Sequence, residues 1–332
     1  MRRRDFIKVI SGLAGAHPLL ALAQRSTARM GVVMGRPETD SVGQAELSAL
    51  LANLRQLGWT AGARGNIQVD YRWPGNDIEQ IRGDVAEIVA LHPDVIFGHS
   101  SPVNVMLQRV TRTIPIVFVN VTDPIGVGLV ESLAHPGGNI TGFSIYDAAL
   151  AIGGKWIEIL KEIDPRIDRV ATLFNPQTAP HAKKFLGSIE AAKKSSSVST
   201  TTMPVRDAAE LQHAIADFAS TPNGGLVVLP DIFNTNNKDL IISLVKQFRL
   251  LAIYPFKLFP NAGGLVSFGS DDVDMFRRAG SYIDLILKGK NPSDLPVQQP
   301  TKYELVINLK VAETLGITIP RLLLASADEV IE

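Results

Sequence analysis

No cysteine occurs anywhere in the 332 residues. That absence excludes disulfides, thiolate metal sites, a cysteine nucleophile and a lipid-modified N-terminal cysteine together, so packing must hold the fold. Aromatic residues are scarce at 6%, and the six histidines are scattered without the close spacing a zinc site uses, so no metal is assigned. Neither sign of charge is in excess, with 33 basic residues against 33 acidic ones. Lacking the dense Lys/Arg stripes that track phosphates, the chain has no nucleic-acid partner among its expected classes. Pairs such as Lys183-Lys184 and Arg277-Arg278 read as solvated helix faces. No run beyond Ala23 has the apolar length of a membrane span, so the body of the chain is not membrane-spanning.

Reaction motifs are missing as well. There is no phosphate-loop Gly-Lys-Ser/Thr, Gly126-x-Gly128 lacks the third glycine of a dinucleotide loop, and Gly98-His99-Ser100-Ser101-Pro102 has proline where a nucleophile elbow needs glycine. No cofactor and no catalytic residue are assigned, and the chain is read as a non-enzyme.

What is present begins at the N terminus. Arg3-Arg4-Asp5-Phe6-Ile7-Lys8 leads into a short, broken apolar run ending at Ala21-Leu22-Ala23. A cationic head, a short apolar segment and a small-x-small exit predict an export signal over 1–23, removed near Ala23. The paired arginines resemble the twin-arginine signal, although Arg2 stands where that pattern has Ser or Thr. The expected location is the periplasm. Four of the basic residues and one acidic residue lie in this segment, so the remainder is slightly acidic.

Beyond Ala23 the chain exceeds one compact core, which predicts two domains. Met30 to Met34 reads as a buried strand, and Leu47, Leu50, Leu51, Leu54 and Leu57 repeat at helical spacing up to Gly58. The β-α alternation continues through Val95 to Phe97 and Ile116 to Val119. It pauses at the turn-forming His135-Pro136-Gly137-Gly138-Asn139 and restarts with a helix over Ala148 to Glu162. The fold class is therefore α/β, with two doubly wound parallel-sheet lobes. Pro292 to Pro300 reads as an extended connector that recrosses a hinge, and Arg321 to Glu332 as a C-terminal tail. The expected division is 28–143 plus about 269–297 for the first lobe, and 144–268 plus about 298–332 for the second.

Small molecules bind beyond the carboxyl ends of such strands, where loop amides and helix N-termini converge. Candidate ligand-binding residues at those ends are Arg36, Thr39 and Asp40; His99, Ser100 and Ser101; Thr122 and Asp123; Asn175; Asp231 and Phe233; and Tyr254. Ser100 and Ser101 either hold an anion at a helix start or simply cap it. Asp123 and Asp231 are candidates for a ligand ammonium, with an Asx-turn as the plainer role. Phe233, Tyr254, Trp73 and Tyr146 are candidate apolar walls, though Trp73 also fits a strand alternation and reads as core. Asp271, Asp272 and Asp274 precede a helix and read as carboxylates complementing its dipole.

Several segments carry a resemblance: Ile114-Pro115-Ile116-Val117-Phe118, Asp123-Pro124 with Gly128-Leu129-Val130, Pro136-Gly137-Gly138-Asn139-Ile140-Thr141-Gly142, Phe174-Asn175-Pro176, and Asp294 through Lys302. With the Arg3-Arg4-x-Phe6 opening, the chain resembles bacterial ABC-transporter substrate-binding proteins of the type I periplasmic-binding fold, in the tryptophan- and tyrosine-uptake subgroup. The resemblance implies lobes joined by a multi-crossing hinge and closing on one small solute without fixing which; the polar strand ends suit a small polar or amphipathic one, an amino acid or aromatic acid. It also implies a membrane permease and an ATPase as partners, with the receptor itself a monomer. Two alternatives stay open on the residues alone: a secreted α/β hydrolase using Ser100 with His99 or an Asp, and a ligand-binding sensor partner without transport.

Overall fold

The computed structural model describes residues 27–62, 64–146, 152–300 and 302–332. The expected export signal lies outside them. The first sheet contains β1 (Ala28–Val33), β2 (Ile67–Arg72), β3 (Val95–His99), β4 (Ile116–Val121) and β5 (Ile140–Ser144), in the order β2-β1-β3-β4-β5, with every pair parallel. Helices α1 (Ser41–Gln56), α2 (Ile78–Ala90) and α3 (Ser101–Val110) connect the first four strands. β3 and β4 are buried along their whole length because helices cover both faces, which is why their sequences are apolar runs rather than alternations. Asp40 starts α1 by accepting from Val42 N and Gly43 N, and Leu47, Leu50 and Leu54 form its buried stripe.

The second lobe begins with α4 (Ile152–Ile163), the described part of the helix expected from Ala148. It continues through β6 (Arg169–Phe174), α5 (Ala182–Ser196), β7 (Ser199–Pro204), α6 (Ala208–Ala219), β8 (Gly224–Val228), α7 (Ile232–Asn236), α8 (Lys238–Gln247), β9 (Leu251–Tyr254), α9 (Leu258–Asn261) and β10 (Val266–Ser270). After α10 (Asp272–Leu287) come β11 (Tyr303–Asn308), α11 (Leu309–Leu315), α12 (Arg321–Ala325) and β12 (Glu329–Ile331). The sheet order is β12-β11-β10-β9-β8-β6-β7.

Two features differ from the sequence reading. The second sheet is not wholly parallel, because β10 and β11 pair antiparallel. β10 runs toward the hinge and β11 returns from it, so the two neighbours must point in opposite directions. The C-terminal stretch Arg321 to Glu332, read as a tail, carries α12 and then β12, which pairs parallel to β11.

The chain passes between the sheets three times. The first passage follows β5. The second is Ser270-Asp271, after which α10 packs on α1 and β4 of the first lobe rather than on the sheet it left. The third runs beside β5, where Gln298 N donates to Gly142 O and Ser144 N donates to Gln298 O, both at 2.9 Å. These backbone bonds make the connector an added edge on the first sheet before it re-enters the second.

Candidate functional site

Each sheet has one place where the strand order reverses, and there the loops diverge to leave a crevice. In the first sheet it lies between β1 and β3; in the second, between β6 and β8. The two crevices face each other. Gly35, Arg36, Ser100 and Ser101 from the first meet Thr178, Pro230, Asp231 and Ile232 from the second around a small cavity of about 30 Å³.

The first-lobe wall is shaped by close backbone approach. A Cβ on Gly98 would lie 2.2 Å from Asn104 Oδ1, and Asn104 Nδ2 donates to Gly98 O and Ser100 O, tying the loop to α3. A Cβ on Gly35 would meet Ser100 Oγ at 2.7 Å. Ser100 adopts φ 79°, a region that favours glycine, and its side chain makes no cap bond to α3. The hydroxyls of Ser100 and Ser101 are both buried and both without a partner. With the free amides of the first turn of α3, they form a donor set suited to a carboxylate.

His99 supports this wall from beneath. Gly35 N donates to its Nδ1 at 3.1 Å, so the proton sits on Nε2, which faces the Asn120 amide at 3.1 Å. Asn120 must therefore turn its oxygen to His99. Burial, with the nearby Arg36, holds the imidazole well below its ordinary pKa. With both His99 nitrogens engaged and the Ser100 hydroxyl unpartnered, the two do not form a nucleophile–base pair. Arg36 is buried and pairs with Glu46 through two bonds of 3.0 Å, while its Nη1 donates no hydrogen bond and stands 3.8 Å from Asp40.

Asp231 dominates the second-lobe wall. It accepts from Asn175 N at 2.7 Å, from Thr178 Oγ1 at 2.5 Å and from Phe233 N at 3.0 Å. Burial pushes its pKa up to about 6 despite those donors, and no cation pairs with it among the described residues. Three donors leave about one acceptor position of the carboxylate open. Beside it, His181 donates from Nε2 to Pro230 O at 2.8 Å, which leaves Nδ1 as an unpartnered buried acceptor. Burial lowers the His181 pKa to about 4, so the ring is neutral.

The lobes are closed on this space. Lys184 Nζ reaches Asp123 Oδ1 at 2.6 Å, Lys238 Nζ lies 3.8 Å from Asp40 Oδ2, and Asn236 Nδ2 lies 3.5 Å from Gly35 O. Each contact joins one lobe to the other.

Of the candidate residues, Arg36, His99, Ser100, Ser101, Thr122 and Asp231 come together at the cavity. Asn175 supports Asp231 through its backbone. Four stand elsewhere. Thr39 is exposed, Asp40 caps α1, Phe233 packs into the core, and Tyr254 is fully buried and stacked on Phe259 at 4.7 Å. Asp123 is occupied by Lys184 and Gly126 N rather than free for a ligand. Tyr146 is likewise core, edge-on to Trp156 and Phe185, and Trp73 packs against the core half-buried. The apolar wall comes instead from Phe256, Ile145 and Ile232. Phe256 follows β9 as a strand-end residue, so the rule that found Ser100 and Asp231 pointed to it also. Among the described residues, no group of three His, Cys, Asp or Glu could hold a metal, and no helix is long and apolar enough to cross a membrane.

Known proteins share this architecture. Residues 40–331 match the family model for ABC transporter substrate binding proteins. A tyrosine-binding protein of Clostridioides difficile (strain R20291) is 26% identical over 243 residues, which is 73% of this chain and 69% of that protein. A conserved domain protein from Vibrio cholerae O1 biovar El Tor is 28% identical with a TM-score of 0.83, covering 92% of this chain and 99% of that one. An ABC domain from Streptococcus pneumonia in complex with L-Trp has the same TM-score of 0.83 at 24% identity, over 92% of this chain and 100% of that one. Two sheets closing their reversal points on one cavity, with a family match across both, lead to one conclusion: the chain belongs to the ABC transporter substrate-binding proteins.

Proposed function

We propose that the protein is the exported receptor of an ABC uptake system and that it captures one α-amino acid as a zwitterion. Ser100, Ser101 and the first turn of α3 take the carboxylate; Asp231 and the Nδ1 of His181 take the ammonium; Phe256, Ile145 and Ile232 pack the body. The observation that carries this reading is Asp231, a buried carboxylate with no counter-charge, across the cavity from unpartnered donors. A solute with both charges satisfies both walls at once, and only with the lobes together. The relatives named for tyrosine and bound to L-Trp support a solute of that class.

Removal of 1–23 on export, release of the solute unaltered to a permease driven by an ATPase, and action as a monomer complete the proposal. Calorimetry tests it with a panel of L-amino acids and, for each, its deaminated acid and its decarboxylated amine. The amino acid should bind and both truncated forms should lose at least tenfold in affinity, or about 1.4 kcal/mol. Equal binding of the deaminated acid would remove Asp231 from the site.

A further inference from the structure

The solute cavity has a neighbour. Phe256 lines both the cavity and a second chamber on the hinge side of the cleft, with a volume of about 340 Å³. Arg36 belongs to the wall of the first space, and its partner Glu46 to the wall of the second. Asp272 and Ser270 also line this chamber. Asp272 stands in the first turn of α10, as its sequence position suggested, but it is 8% exposed and neither of its oxygens accepts a hydrogen bond. The Ser270 hydroxyl is likewise buried and unpartnered. The Asn120 side chain beside it brings no positive charge.

With Asp272 ionised the local charges do not balance: Asp40, Glu46 and Asp272 surround Arg36, and Lys238 adds a second cation 3.8 Å from Asp40, so three carboxylates then face two cations. Lys257, also on this chamber, is already shared between Asp271 at 3.8 Å and Glu304 at 3.3 Å. The chamber has room for one more positive charge and a buried acceptor to meet it.

We propose that the solute's side chain passes Phe256 and ends in a cationic group received by Asp272 and Glu46, so the solute is a basic α-amino acid of lysine or arginine length. This rests on the zwitterion proposal above, which fixes the α-carboxylate and α-ammonium at the other end. Burial and the neighbouring Glu46 push the Asp272 pKa well up against the opposing pull of Arg36. That favours keeping a proton on Asp272 while no cation is bound. An arriving cation displaces it, as burying a second positive charge requires.

Titration of the unmodified protein with L-arginine and with L-citrulline, its neutral near-isostere, tests this directly. Arginine should bind about thirtyfold tighter, the cost of leaving a buried charge partner unmet. Its binding enthalpy should change with the ionisation enthalpy of the buffer, reporting proton release, while that of citrulline should not. In Asp272→Asn, which resembles the protonated acid, the preference should fall to threefold or less, with a melting curve checking the fold. Equal affinity for the two ligands, or an unchanged preference in Asp272→Asn, overturns the side-chain assignment. Tight binding of L-tyrosine with no proton exchange overturns it too, yet leaves the zwitterion site standing. Failure of every α-amino acid to bind sinks both.

Discussion

Lys184 Nζ on α5 lies 2.6 Å from Asp123 Oδ1 at the end of β4, a contact between side chains of opposite lobes at the margin of the cavity. Asp123 is 8% exposed and Lys184 half exposed, so water screens the pair only from one side. Pairs of this kind contribute about 0.2–1 kcal/mol. Lys184→Met should thus shift the closed-to-open ratio and weaken solute affinity by about twofold to fivefold. X-ray scattering of the solute-free protein should show a larger radius of gyration in the variant. An unchanged radius and affinity would make the pair a bystander.

Asp231 has two jobs, and they separate by substitution. Its oxygens cap α7 through Phe233 N and hold the β6 loop through Asn175 N and Thr178 Oγ1. Asp231→Ala leaves those donors unmet and should destabilise the protein by about 1–3 kcal/mol, read from chemical denaturation. Asp231→Asn keeps most of that geometry but removes the charge. It should fold, and should lose solute affinity by roughly 2–5 kcal/mol. Full affinity in Asp231→Asn would move the ammonium elsewhere.

The same residue sets opposed pH trends. Its folded pKa of about 6 lies above the ordinary 3.8, so the folded protein binds the proton more tightly than the unfolded chain. Stability from this group is therefore present below about pH 4 and is lost as pH rises through 6, by roughly 3 kcal/mol. Solute binding needs the ionised form and should weaken as pH falls below 6. Comparing wild type with Asp231→Asn isolates both effects from other carboxylates, and parallel trends in the two proteins would contradict the assignment.

Ser100 is held at φ 79° with its hydroxyl unpartnered in the cavity wall. Ser100→Gly should relieve that conformation and raise stability by about 1 kcal/mol, while solute affinity drops through loss of a carboxylate donor. Thermal melting and calorimetry measure the two sides. A variant that gains stability and keeps affinity would make the hydroxyl irrelevant to the site.

Much of this site was legible in sequence because one rule, strand end followed by helix, depends only on periodicity. That rule pointed to Arg36, His99, Ser100, Ser101, Thr122 and Asp231, all of which line the cavity. It failed at Tyr254, which lies inside β9, two residues short of the loop residue Phe256, and at Phe233, whose α7 turns its ring into the core. His181 and Asn120 escaped notice because their roles come from partners distant along the chain: Pro230 O for one, His99 for the other. Asp272 was hidden for another reason. A carboxylate before a helix looks the same in sequence whether it meets water or, as here, is folded beneath a second lobe.

The central claim is that opposed reversal points of two sheets hold one amino acid intact between them. Native mass spectrometry of the purified protein, incubated with an excess of mixed L-amino acids, measures this most directly. One molecule per chain should be retained at the mass of a free amino acid, recoverable unchanged, and the increment should vanish in Asp231→Asn. No retained amino acid, or recovery of a chemically altered product, would contradict the account.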